Sequence, residues 1–472
     1  MAFGFLLASV LAAVVVAYIL TKFFREPEMP SLPQNPWWGE GEPQAEDTAI
    51  RPFTINIPDE DLEDLRLRLA LPLRLTPPLE GANFTYGTNS DTLKHIVEYW
   101  RKEYHWKERE AKMNELQHFK TQIEGLDIHF VHARPQQTPS NVHEPIPLLL
   151  IHGWPGSFVE FLGILPLLTS PGEGSGRVFE VICPSLPGYG FSQAAAKPGL
   201  GLQETAQIFL KLMKRLGHSR FYVQGGDWGA GVATQLATLY PQHLRGVHLN
   251  MFRPQTTMGK VRQVLGAFLP SGTLMAKEEE GMLYPLLEHA KWLLRESGYF
   301  HIQATKPDTL GAALAQSPVG LASYLLEKFS TWTNGANVNK PDGGLLKGFP
   351  IALDALLDDI CIYWFTNSIT SSMRYYAENM SRERAAIDTS NIPSKVPAGL
   401  AAFPEEVLLA PRSLMAHKFH DIVTYTRPSA GGHFAAMEQP GILARDFRAF
   451  VEAVPFKQAE QGGGVYLDYS PY

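Results

Sequence analysis

Apolar residues in the middle of the chain come in short unbroken runs separated by stretches with a helical period. Pro147 to Ile151, Val178 to Cys183, Phe221 to Val223 and Val247 to Leu249 are such runs. Runs of this kind mark strands buried on both faces. Between them, Leu202 to Leu216 and Gly231 to Tyr240 read as helices. Strands alternating with helices predict a mostly parallel sheet covered on both sides. From about residue 254 to 392 the rhythm breaks. Leu286-Leu287, Trp292 to Leu294, Val319 to Phe329 and Ala352 to Phe365 follow one another as helical stretches. A helical insertion in an α/β domain reads as a cap. The strand pattern returns near Val396 to Ala402 and at Ile422 to Tyr425.

Upstream, Asp59 to Leu71 and Ser90 to Tyr104 predict amphipathic helices, the second with Asp91 near its start. Phe119 to His132 alternates well enough for a hairpin turning at Glu124-Gly125. Residues 21 to about 50 hold Pro30, Pro33, Pro36 and Trp37-Trp38-Gly39 and predict an irregular segment. The aromatic pair suits either a membrane interface or packing on the body. Phe3 to Leu20 carries no charge. As a helix it spans roughly 27 Å, about one hydrocarbon core. No Lys or Arg precedes it, while Lys22 and Arg25 follow. That arrangement favours an uncleaved anchor with the body on the cytosolic side. On that topology neither sequon, at Asn83 or Asn379, carries a glycan.

Composition narrows the partners. The 472 residues have a formal charge of -7, which argues against nucleic acid. Nine Trp supply ample apolar lining for an organic substrate. Cys183 and Cys361 stand in apolar surroundings and read as buried thiols, in keeping with a reducing compartment.

The chemistry concentrates at Gly225-Gly226-Asp227-Trp228-Gly229, directly after the run Phe221 to Val223. This has the form of a nucleophile elbow with Asp where Ser usually stands. An ionised carboxylate can attack a saturated carbon and become an ester. His152-Gly153-Trp154-Pro155-Gly156 follows an earlier strand, and its two glycines permit a tight loop. The N–H of Trp154 and that of Trp228 are then candidate oxyanion donors. Among 15 His, His433 stands out because Gly431-Gly432 precede it shortly after a strand; His152, His417 and His420 compete. An orienting carboxylate is expected after Ala402-Phe403-Pro404, where spacing leaves both Glu405 and Glu406 open, with Asp421 as a rival. Tyr299, Tyr375 and Tyr376, in the expected cap, are candidate donors to a departing oxygen.

Taken together these motifs resemble those of microsomal epoxide hydrolases. The resemblance extends from the N-terminal run to about Val454. It also rests on Trp37-Trp38-Gly39, Ile50-Arg51-Pro52-Phe53, Ile123 to Phe130, Glu296-Ser297-Gly298-Tyr299, Phe329 to Asn334 and Gly431-Gly432-His433-Phe434. It implies an α/β-hydrolase fold with a helical cap and an N-terminal segment wrapped around the body. The expected parts are an anchor at 1–21, a wrapping segment at 22–145, a core at 146–253 and 393–472, and a cap at 254–392. It implies Asp227 as nucleophile, His433 as base, Glu406 rather than Glu405 as orienting acid, and Tyr299 and Tyr376 as donors to the epoxide oxygen. No metal or organic cofactor is implied. Expected partners are a lipophilic epoxide, water and, through residues 3–20, membrane lipid of the endoplasmic reticulum. Enzymes that open juvenile hormone epoxides share these motifs. A haloalkane dehalogenase also uses an Asp elbow, with a donor such as the Trp228 indole on halide, but the tyrosine pair and the anchor argue against it.

Overall fold

The computed structural model describes residues 27–135, 144–172, 177–381 and 387–455. The expected anchor and the tail from Gln458 lie outside these. Among the described residues no helix is long and apolar enough to cross a membrane.

A nine-stranded sheet runs through the body in the order β1-β2-β3-β5-β4-β6-β7-β8-β9. The apolar runs become β4 (Ile146–Ile151), β5 (Phe179–Pro184), β6 (Phe221–Gly225) and β7 (Leu244–Leu249), joined by β8 (Ala398–Ala401) and β9 (Ile422–Thr426). These six strands pair in parallel. Every side chain of β6 and β8 is buried, as the absence of a polar alternation requires of strands covered on both faces. The helix Leu202–Arg215 buries ten of its fourteen residues, and the helix Asp227–Leu239 packs beside it.

The N-terminal segment adds an antiparallel edge to this sheet. The predicted hairpin forms as β2 (His118–Ile123) and β3 (Leu126–Ala133), and β3 pairs with β5. Glu124 and Gly125 have φ of 53° and 82°, the two left-handed residues of a tight hairpin turn. β1 (Arg51–Phe53) pairs with β2 at the outermost edge, where Pro52 removes no needed hydrogen bond. The Trp37-Trp38 pair packs on the body. The Trp38 indole N–H donates to the Glu124 carboxylate at 2.8 Å. The Trp37 ring lies so close to Gly125 that an added Cβ would fall 2.7 Å from it.

Between residues 254 and 392 the described chain is helical without strands. Its longer helices are Leu286–Glu296, Pro318–Thr333, Leu353–Phe365 and Ile369–Asn379, with Gly298–Thr305 between the first two. A helix the hydrophobic pattern did not predict, Trp106–Met113, belongs to the N-terminal segment. Cys183 and Cys361 are free and buried. Burial pushes both thiols well up.

Candidate active site

The elbow is built by close approach. β6 ends at Gly225, and the helix begins at Asp227, whose φ of 46° is left-handed. A non-glycine residue there is strained by about 1–3 kcal/mol. The flanking glycines have steric causes. A Cβ on Gly225 would fall 2.5 Å from the Gly229 carbonyl, and one on Gly229 would fall 2.1 Å from the Ile151 carbonyl oxygen. Gly153 leaves room for the Asp227 side chain, which an added Cβ would meet at 2.3 Å.

One oxygen of Asp227, Oδ1, accepts the Trp154 N–H at 2.8 Å. The N–H of Trp228 sits in the first turn of the Asp227–Leu239 helix, where N–H groups have no intrahelical acceptor. The other oxygen, Oδ2, lies 3.4 Å from His433 Nε2. On the far side of the imidazole, His433 Nδ1 and Glu406 Oε1 are 2.8 Å apart. Glu406 is held in turn by the N–H groups of Val407 and Leu408. Glu405 is exposed and makes a backbone bridge to Gly432 instead. The geometry therefore separates the two glutamates that spacing left open. Burial alone would lower the affinity of His433 for a proton. The charges of Glu406 and Asp227 outweigh it and hold the imidazole well above its usual range.

The competing residues have other places. His152 Nδ1 faces the Gly153 carbonyl at 3.0 Å, and its Nε2 accepts the Leu186 N–H at 3.1 Å. Burial pushes it down to about 4, so it is neutral and braces the loop that carries Trp154. His417, His420 and Asp421 belong to the stretch leading into β9, where the backbone of His420 and Asp421 bonds to Ser394 and Ala398.

Facing Asp227 from the cap are Tyr299 and Tyr376, their rings 6.0 Å apart and nearly perpendicular. Tyr299 stacks on the Trp154 indole at 5.2 Å, and Tyr376 meets Trp228 edge-on at 4.7 Å. Among the described residues the buried Tyr376 hydroxyl has no hydrogen-bonding partner. Burial, reinforced by the Asp227 charge, keeps both phenols well above their ordinary pKa, so both remain O–H donors. Tyr375 points elsewhere: its hydroxyl donates to Thr205 at 2.9 Å.

The fold finds close parallels. Residues 50–161 match the epoxide hydrolase N-terminus family, and residues 146–272 the α/β-hydrolase fold family. The chain is 48% identical to epoxide hydrolase 1 of Oryctolagus cuniculus, over 95% of this chain and 99% of that protein. It is 47% identical to juvenile hormone epoxide hydrolase 1 of Ctenocephalides felis, over 96% and 95%. It belongs to the epoxide hydrolases. Among solved structures, the juvenile hormone epoxide hydrolase of Bombyx mori superposes with a TM-score of 0.85 at 42% identity, covering 89% of this chain and 98% of that one. The Aspergillus niger epoxide hydrolase gives 0.71 at 31%, covering 87% and 97%.

Two parts of this hydrolase's site gave no signal in the sequence. Glu438 accepts the N–H groups of both Gly432 and Phe434 at 2.9 Å, clamping the backbone on either side of His433. Burial pushes its carboxyl up to about 8 in spite of those two bonds. Lys328, buried on the helix Pro318–Thr333, places its ammonium 4.7 Å over the Tyr299 ring. Neither residue stands in a motif, and both reach the site through folding alone. At the opposite end of the strands, His132, Glu180 and His218 converge closely enough to hold a metal ion. Glu180 there is already bonded by His132 at 2.6 Å and Arg134 at 3.2 Å.

Proposed function

We propose that the enzyme opens lipophilic epoxides to vicinal diols in two steps through an ester on Asp227. Oδ2 of Asp227 attacks an epoxide carbon while the hydroxyls of Tyr299 and Tyr376 donate to the oxygen as the C–O bond breaks. His433, oriented by Glu406, then takes a proton from water, and the resulting hydroxide attacks the ester carbonyl. The N–H groups of Trp154 and Trp228 receive the oxyanion. What carries this reading is the unbroken chain Glu406–His433–Asp227–Trp154, with contacts of 2.8, 3.4 and 2.8 Å, below two phenols kept protonated.

The charge balance supports the order of the steps. His433 binds its proton tightly while two carboxylates flank it. Esterification removes the charge of Asp227 and lowers the proton affinity of the imidazole, whose proton is then given up to the alkoxide formed from the epoxide, leaving a neutral ring that can act as the base.

His433→Gln is expected to form the ester at near the normal rate and to hydrolyse it on the order of a hundredfold or more slowly. With styrene oxide, mass spectrometry then finds the added substrate mass on the peptide containing Asp227. An adduct on another peptide would rule out the assignment.

General xenobiotic or lipid-derived epoxides are the substrates we assign first. A juvenile-hormone-type epoxide is the second reading, favoured by 47% identity to the flea enzyme. We further assign residues 3–20 as an anchor in the endoplasmic reticulum membrane, with the body in the cytosol. Glycosylation is a poor reporter of that topology. The side-chain amides of Asn83 and Asn379 already donate to the carbonyls of Asn339 and Tyr375 at 2.8 Å. Protease digestion of sealed microsomes is the better test: the body should be cut without detergent, and full protection would reverse the orientation.

A further inference from the structure

The site contains a half-buried carboxyl, Glu160, that the two steps above leave unused. Glu160 lies on a single 3₁₀ turn, Phe158–Phe161, immediately after the loop that carries Trp154. Its place beside that loop depends on Gly156. A Cβ at Gly156 would fall 1.6 Å from Glu160 Oε1. Gly156 does not have a left-handed φ, so its role is to admit the Glu160 carboxyl rather than to permit a turn.

Behind the nucleophile is a cavity of about 20 Å³, lined by Glu160, Asp227, His433, Gly153, Gln224 and Asn250, among others. That is room for about one water, which needs two to four polar partners. Several lining groups are already occupied. Gln224 donates to Asn250 at 2.8 Å, and both ring nitrogens of His152 are engaged. His433 also lines this space, its Nε2 lying 3.4 Å from Asp227 Oδ2. The cavity is thus bounded by the attacked residue, the base and one further carboxyl.

We propose that Glu160 holds, together with His433, the water that hydrolyses the Asp227 ester. The inference rests on the ester mechanism above and names a residue for its second step. One hydrogen of the water donates to a Glu160 carboxyl oxygen, and the other points at His433 Nε2. The water oxygen bonds to Cγ of Asp227 as its proton passes to Nε2. The Cγ–O bond to the substrate carbon then breaks. The departing alkoxide takes the proton from His433 and leaves as the diol; the second proton of the water, left on the Asp227 carboxyl, then passes to His433, and Asp227 is again a carboxylate carrying one oxygen from water. Glu160 gains and loses no proton.

The surroundings of Glu160 suit that passive role. Burial, then the nearby Asp359 and Asp227 carboxyls, holds its carboxyl well above the usual range against the opposing pull of His433. Asp359, bonded by the Ser157 hydroxyl, is itself pushed up to about 8 by burial. A carboxyl oxygen of Glu160 can accept from water in either protonation state, so the role asks for no proton transfer.

Single turnovers of the full chain with styrene oxide test this, following ester formation and decay on the Asp227 peptide after acid quenching. Glu160→Leu is expected to form the ester within about twofold of the normal rate and to hydrolyse it about tenfold to a hundredfold more slowly. Glu160→Gln keeps an accepting carbonyl in the same place and is expected to recover most of that loss. Should Glu160→Leu fail to fold, Glu160→Ala supports the same comparison. Decay at the normal rate in the Leu or Ala variant overturns the proposal. So does a Gln variant as slow as Leu, which would make Glu160 a proton carrier. If the wild type forms no ester on Asp227, the ester mechanism itself falls, a result distinguishable from either.

Discussion

At the residue scale, the site works by assigning different charge states to chemically similar groups. Glu406 and Asp227 flank His433 and raise its proton affinity, while burial drives the other way. Removing one carboxylate should therefore move the imidazole sharply. Asp227→Asn keeps the shape and tolerates the left-handed backbone better than most residues. We expect the His433 pKa to fall in this variant, measured by ¹⁵N NMR of the imidazole. An unchanged pKa would mean that Glu406 alone sets it, and the charge argument for the order of the two steps would fail. The meeting of Asp227 and His433 was legible because both stand in glycine-marked turns next to strands. The choice between Glu405 and Glu406 was not legible from spacing, since it depends on which side chain the backbone turns inward after β8. Glu438, Lys328 and Glu160 were invisible for a different reason: none stands in a motif, and only Lys328 meets its aromatic partner Tyr299 from a separate helix.

Elements were readable where local pattern and tertiary burial agree. The core strands are apolar throughout because both faces are covered. The β2–β3 hairpin was readable because Phe119 to His132 alternates on either side of Glu124-Gly125. Arg51–Phe53 was not readable as a strand, being three residues long, mostly exposed and interrupted by Pro52. The helix Trp106–Met113 hides among charged residues and buries only three of eight side chains. The Trp37-Trp38 strap was ambiguous for want of a partner, and the structure supplies one. Glu124 is buried at the hairpin turn and accepts from Trp38, Gln207 and Lys211 at 2.8–2.9 Å. Burial raises its carboxyl, and the Lys211 charge opposes this. Trp38→Ala removes a nearly buried indole and one of those donors. The loss expected is about 3–5 kcal/mol, read from chemical denaturation. A loss under about 1 kcal/mol would show that the strap rests on the hairpin without holding it.

At the scale of the whole molecule, the N-terminal segment reaches the cap and, through it, the loop that carries Trp154. The Arg109 guanidinium forks onto Asp358 of the helix Leu353–Phe365, with Nε to Oδ1 at 3.0 Å and Nη2 to Oδ2 at 2.6 Å. Tyr104 donates to the same carboxylate at 2.8 Å. The next residue, Asp359, accepts the Ser157 hydroxyl, and Tyr363 donates to the Gly156 carbonyl at 3.1 Å. One cap helix thus joins the wrapping segment on one side to the loop bearing Trp154 on the other. Burial raises the Asp358 carboxyl, and Arg109 holds it down. Arg109→Ala leaves that carboxyl buried without its cation, a change that costs about 3–5 kcal/mol in comparable pairs. Because the helix also braces the loop that carries Trp154, we expect kcat to fall along with stability. Asp358→Asn in the same background removes the uncompensated charge and should recover part of both. If the single variant loses stability while kcat is unchanged at a temperature where it is fully folded, the segment supports the cap but does not set the geometry of the site.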